Sequence, residues 1–221
     1  MAGLRRVFLA LPFASSDRAA FAAVQAQAKG LLSNVHWIPS DNFHITLKFF
    51  GDVVESHVDE IIAKSPSVVA GVHPFSLTFA TLDFFGRLMQ PRVLFIKEGE
   101  WPDEFKALVG KIVAAFYEPG ERPLTAHLTI AKFRDTHGKG DEVVADENAR
   151  MLERVIHRLA DRIASRPRLD AEGVPIPVHP PKNPLAFDPI AVRFSRVVLY
   201  ESIFVGRAVT YREAADFKLS G

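Results

Sequence analysis

The sequence predicts an α+β protein made of two related halves around one cleft, and three observations carry that reading. A strand–helix–strand run occurs twice. A His-x-Thr pair closes each run, and the apolar residues switch between period 2 and a helical period within it.

The first copy opens with residues 4–11, which read as a buried strand. Ser15 and Ser16 then offer an N-cap for an Ala-rich helix that stops at Gly30. After His36-Trp37-Ile38-Pro39, the β-branched and aromatic run from Phe43 to Phe50 predicts a strand closed by Gly51-Asp52. A helix over about Glu55 to Lys64 follows, with Val58, Ile61 and Ile62 on one face and Ser65-Pro66 as its end. Phe75, Leu77 and Phe79 then alternate as a half-buried strand.

The second copy starts at Arg92-Val93-Leu94-Phe95-Ile96, which resembles Arg6-Val7-Phe8-Leu9-Ala10. A helix from about Pro102 to Tyr117 carries Phe105, Leu108, Val109, Ile112 and Phe116 at helical spacing, and Ala126 to Phe133 reads as a strand. Lining up the copies sets His44 against His127 and Thr46 against Thr129. Residues 136–190 break the repeat. Thr136 to Asp141 and Val174 to Pro189 read as loops, with one helix between them at about Glu147 to Ser165. Two last strands, Phe194 to Tyr200 and Arg207 to Tyr211, are joined around Gly206. The expected organisation is one bilobal domain over 1–221 with an insertion at about 136–190.

Composition narrows the chemistry. The 221 residues carry a net charge of +1, are 48% hydrophobic and contain no cysteine. Disulfides, Cys-ligated zinc, iron–sulfur clusters and cysteine nucleophiles are excluded. No apolar run approaches the ~20 residues that span a bilayer, and the basic start followed by Val7-Phe8-Leu9-Ala10-Leu11 reads as a strand rather than a signal peptide. A cytoplasmic monomer without membrane contact is the expectation. Eight histidines remain as groups that titrate near neutrality.

Two of them stand in a pattern, His44-Ile45-Thr46-Leu47 and His127-Leu128-Thr129-Ile130. Alternation along a strand puts each histidine and threonine on one face and the aliphatic residues on the other. Two imidazoles across one cleft suit paired acid and base catalysis: one takes a proton from an attacking oxygen while the other protonates the leaving oxygen. The hydroxyls can hold phosphate oxygens, and nearby cations can offset transition-state charge. No G-x-S-x-G supplies a serine nucleophile and no H-E-x-x-H supplies a zinc site, so neither metal nor cofactor is expected.

The surrounding text resembles the 2H phosphoesterase superfamily, and within it the 2′-5′ RNA ligase or RNA 2′,3′-cyclic phosphodiesterase family. The matching segments are Arg6 to Ala10, Trp37-Ile38-Pro39 through Asn42 to Gly51, Pro91 to Phe95, Arg122-Pro123, His127 to Lys132, Leu199 to Ser202 and Gly206-Arg207 to Tyr211. The resemblance implies a bilobal α+β fold with antiparallel sheets around the cleft. It implies metal-independent opening of a ribonucleoside 2′,3′-cyclic phosphate to a 2′-phosphate, with reversible 2′-5′ RNA ligation as a further activity and RNA ends or a small nucleotide as substrate. Under it His44 is the proton donor, His127 the acceptor, and Thr46 and Thr129 bind phosphate. Three departures stand out: Thr125-Ala126 in place of a proline before His127, Lys132 where the family often has arginine, with Arg134 two further on, and the long insertion. Lysine supplies charge without a bidentate fork.

Other residues carry two readings each. Trp37 and Phe50 could stack a nucleobase or belong to the core, and Arg207 is a candidate phosphate contact. Arg150, Arg154, Arg158, Arg162 and Arg166 recur every four residues on the inserted helix. The favoured reading is a solvated face balanced by Glu153 and Asp161, against an RNA rail. His36, His57, His73, His137, His157 and His179 are assigned to structure or surface. The alternatives to the leading function are a phosphodiesterase on 2′-5′-linked oligonucleotides or another small cyclic nucleotide, and a non-catalytic RNA-binding module.

Overall fold

The computed structural model describes residues 3–29, 32, 35–87, 90–121, 125–133, 186–206 and 208–221. The inserted helix with its arginines, together with Arg134 and Arg207, lies outside them. In chain order the elements are β1 (Arg5–Pro12), α1 (Ser15–Lys29), β2 (Val35–Trp37), a 3-10 turn (Ser40–Asn42), β3 (His44–Val53), α2 (Glu55–Val69), β4 (Phe75–Arg87), β5 (Gln90–Glu98), α3 (Asp103–Phe116), β6 (Leu128–Phe133), β7 (Ala186–Phe194), β8 (Arg196–Val205) and β9 (Ala208–Lys218).

These strands form a sheet in the order β7-β4-β5-β6-β3-β1-β8-β9, with β2 added on β6. Every pairing is antiparallel. The two halves, β3-β1-β8-β9 and β7-β4-β5-β6, meet at one backbone pair, Ile45 with Leu128. Both residues are fully buried.

Helices α1 and α3 each cross to the other half, whereas α2 stays on its own. Helix α1 leaves β1 but seats Phe21 edge-on against Phe79 of β4, 5.2 Å between ring centres. Helix α3 leaves β5 but packs on β3, while α2 packs on β1 and β9. One core under the sheet, running from Val7, Leu9 and Leu11 to Leu94, Ile96, Ile130 and Phe105, therefore serves both halves.

Several boundaries differ from the sequence reading for local reasons. Ser15 and Ser16 lie in the first turn of α1, and Asp17 accepts the Ala14 N–H instead (3.2 Å), half of a capping box. Pro66 sits inside α2 rather than ending it. Val68 and Val69 beyond it are buried, and Ser65 Oγ donates to the Ile61 carbonyl (2.7 Å), so packing outweighs the lost backbone bond. Strand β7 begins at Ala186, within the stretch read as a proline-rich loop, and pairs with β4; Pro189 is tolerated because β7 is an edge strand.

Candidate active site

The two His-x-Thr motifs lie where the halves touch. Extending the Ile45–Leu128 register by one residue each way sets His44 across from Thr129 and Thr46 across from His127. All four point away from the buried face that holds Ile45, Leu47, Leu128 and Ile130. Each half thus contributes one imidazole and one hydroxyl to a single cluster.

Both imidazoles are fixed the same way. His44 Nδ1 bonds the Asn42 carbonyl at 2.7 Å, and His127 Nδ1 bonds the Thr125 carbonyl at 2.5 Å, each two residues upstream. A carbonyl only accepts, so Nδ1 carries the proton in both rings and Nε2 holds the exchangeable position. Thr46 Oγ1 lies 3.1 Å from His44 Nε2. Rings back each imidazole: Phe8 at 4.8 Å and Tyr211 at 5.1 Å from His44, and Phe85 at 4.8 Å and Phe95 at 5.1 Å from His127.

This setting disfavours the imidazolium in the free protein. Burial pushes His44 down to about 4 against the Asn42 hydrogen bond, and the charges of His127 and Lys132 push the same way. Burial also lowers His127, opposed by its bond to Thr125. An anion bound beside the rings would oppose this, since negative charge favours protonated imidazole.

A pair of β-bulges decides what else faces the cluster. In β3, Ala10 pairs with Thr46 and Leu9 with Lys48, so Leu47 is extra; in β6, Phe95 pairs with Thr129 and Leu94 with Ala131, so Ile130 is extra. An extra residue shifts the alternation by one, so the following side chains change face. Lys132, which strict alternation assigns to the core side, returns to the histidine face, where its charge is felt by His44. The equivalent position in β3 is Phe49, paired with Phe8.

Each bulged carbonyl is held by the helix segment from the other half. Gln25 of α1, 3% exposed, donates from Nε2 to the carbonyls of Ile130 and Ile38, both at 2.8 Å. Tyr117, just after α3, donates its hydroxyl to the Leu47 carbonyl at 2.9 Å.

The same register moves two sequence candidates away from the cluster. Phe50 turns to the core side and packs edge-on against Phe116 of α3 (5.4 Å). Trp37 pairs with Ala131, also on the core side, with Lys29 over its ring at 5.8 Å. His36, assigned to structure or surface from the sequence, is the direct partner of exposed Lys132. Asn42 is a site residue that sequence reasoning misses: it is buried, its carbonyl orients His44, and its Nδ2 donates to the Val209 carbonyl of β9 at 2.7 Å. An asparagine just ahead of the motif is its only signal.

Among the described residues no group of three or more His, Cys, Asp or Glu is placed to hold a metal ion, and no helix is long and apolar enough to cross a membrane. Two facing His-x-Thr pairs on a curled antiparallel sheet with few helices give an α+β fold of the kind seen in LigT-like structures. Residues 12–95 match the family described as LigT like Phosphoesterase, a segment that includes His44 and Thr46 and ends before the second motif.

Similarity extends to whole proteins and to solved structures. The chain is 30% identical over 128 residues to a Geobacillus stearothermophilus protein named RNA 2′,3′-cyclic phosphodiesterase, covering 57% of this chain and 41% of that one. It is 26% identical over 110 residues to a Bacillus subtilis protein of the same name, covering 48% and 60%. It therefore spans less than two thirds of either relative. The fold is similar to TT0787 of Thermus thermophilus (TM-score 0.65, 19% identity, 97% of each chain) and to E. coli LigT in apo form (0.62, 18%, 99% of each).

Proposed function

We propose that the protein opens a ribonucleoside or RNA 2′,3′-cyclic phosphate to the 2′-phosphate, without a metal ion, through His44 and His127. The observation that carries the reading is the paired tautomer: two imidazoles on facing strands, each with Nδ1 tied to its own upstream carbonyl, both with Nε2 as the working atom. Following the family resemblance, His127 Nε2 takes a proton from water as the water oxygen bonds to phosphorus. The bond from phosphorus to the 3′ oxygen breaks, and protonated His44 gives its Nε2 proton to that oxygen. A low proton affinity in the free site makes His44 a strong acid once phosphate binding has protonated it. Thr46 and Thr129 hold non-bridging oxygens, while Lys132, with Arg134 and Arg207, offsets their charge. Ligation would use the same step with a 5′ hydroxyl in place of water, its oxygen bonding to phosphorus as the 3′ oxygen leaves; the reverse of that step, cleavage of a 2′-5′ linkage back to the cyclic phosphate, exchanges the two roles. The relatives' name and the E. coli LigT complexes with 3′-AMP and with phosphate support a nucleotide phosphate as ligand. Residues 1–221 act as one bilobal monomer in the cytoplasm, with the insertion attached.

Pure protein with EDTA and adenosine 2′,3′-cyclic phosphate is expected to yield adenosine 2′-phosphate, read by chromatography against both monophosphate standards. A 3′-phosphate product, or turnover abolished by EDTA, contradicts the reading. Binding with no turnover favours the RNA-binding module instead.

A further inference from the structure

We propose that Lys48 and Glu121 are positioning residues for His127: their ion pair latches the segment that leads from α3 to β6 onto β3, and so keeps the Thr125 carbonyl where it fixes the His127 tautomer. The inference rests on the role given to His127 above as the group that takes a proton from water.

His127 accepts a proton at Nε2 only while Nδ1 keeps its own, and the Thr125 carbonyl holds that proton in place. Thr125 belongs to no helix or strand, so its carbonyl needs another anchor. For His44 the corresponding carbonyl is on Asn42, which ends the 3-10 turn and ties its side chain to β9. The segment before His127 is held differently. Glu118-Pro119-Gly120-Glu121 closes a tight turn: the Glu121 N–H donates to the Glu118 carbonyl (3.0 Å), and Gly120 stands at φ 86° after proline, the pattern of a type II turn. The Glu121 carboxylate turns back to accept the Glu118 N–H (3.1 Å) and takes Lys48 Nζ with both oxygens, at 2.5 and 2.6 Å. Thr125 follows four residues on.

Lys48 sits on the core side of β3, paired with buried Leu9, and its side chain is 8% exposed. Lysine is seldom buried without a partner. Among the described residues its ion pair is with Glu121, and the Tyr117 ring lies 4.1 Å from the ammonium. Tyr117 also donates to the Leu47 carbonyl, so the chain beyond α3 is fastened to two successive residues of β3. The strand that carries His44 thereby sets the tautomer of the opposite histidine.

The test reads the tautomers of His44 and His127 by nitrogen NMR, at a pH where both rings are neutral, in the wild type, Glu121→Ala and Lys48→Met. The wild type is expected to hold both protons at Nδ1. In each variant a population with the proton at Nε2 is expected at His127, while His44 stays unchanged. With adenosine 2′,3′-cyclic phosphate, kcat is expected to fall by about tenfold or more, the order that a small misplacement costs, with KM unaltered. The Glu121 side chain is 39% exposed, so Glu121→Ala keeps the fold and carries the test even where Lys48→Met does not. An unchanged His127 tautomer in Glu121→Ala, equal changes at both histidines, or a rise in KM with kcat intact overturns the proposal. The tautomer is read without turnover, so a wild type that hydrolyses no cyclic phosphate, yet whose His127 shifts in Glu121→Ala, would refute the proposed activity and leave the latch standing.

Discussion

His44→Ala and His127→Ala are each expected to lower kcat for adenosine 2′,3′-cyclic phosphate by about 10²–10⁴, the usual worth of a positioned proton-transfer group. The double variant is expected to fall little below the worse single one, because an acid and a base that act in one step are lost together. The fold should survive all three changes. Neither imidazole belongs to the aliphatic core, and the Ile45–Leu128 junction between the halves needs only backbone groups and buried apolar side chains. Single-turnover rates with matched melting curves check this. Losses that simply multiply in the double variant would mean that the two rings act in separate steps.

Gln25→Leu is the second large effect, and it reaches the site from α1. The Gln25 amide is buried and serves two carbonyls, one of them on the bulged Ile130 that turns Lys132 toward His44. Leucine keeps the volume but removes the donor. The Ile130 oxygen keeps the Ile38 N–H (3.0 Å), whereas the Ile38 oxygen loses its bond to Gln25. The Ile38 oxygen is only half-buried, so the loss expected in urea denaturation is about 1 kcal/mol, the low end of the cost of an acceptor left without a partner. A rise in KM for the cyclic phosphate should accompany it as the bulge relaxes and Lys132 turns away. Stability lost with KM unchanged would show that the bulge does not depend on Gln25.

The parts legible in the sequence are those that rest on side-chain period and short-range chemistry. The strand that begins at His44, the strand that begins just after His127, the helix through Phe105 and Ile112, and the pairing of the two motifs all follow from apolar spacing. The bulges are harder to see. In β3 the run His44-Ile45-Thr46-Leu47-Lys48-Phe49-Phe50 reads equally well without one, and unbroken alternation puts Phe50 in the place that Phe49 holds. In β6 a signal does exist. Strict alternation sends Lys132 into the core, and an extra residue removes that conflict. The pairing also sets the alignment of the repeat, since Ala10 faces Thr46 where Phe95 faces Thr129; Arg6 and Arg92 are therefore one place out of step. Gln25, Tyr117 and Asn42 bond to groups far away in sequence, and nothing in their own neighbourhoods announces it.

The central claim is that two imidazoles of depressed proton affinity divide the acid and base roles, and the pH profile of kcat/KM with EDTA present tests it most directly. An acid must be protonated and a base neutral, so activity falls on both sides of a bell whose limbs belong to the free protein. With His44 near 4 and His127 below its ordinary value, the bell is expected to centre on the acid side of pH 6.5. His44→Ala and His127→Ala should each abolish one limb, and not the same one. A profile that is flat, or centred above pH 8, or that keeps both limbs in each variant, would contradict the account.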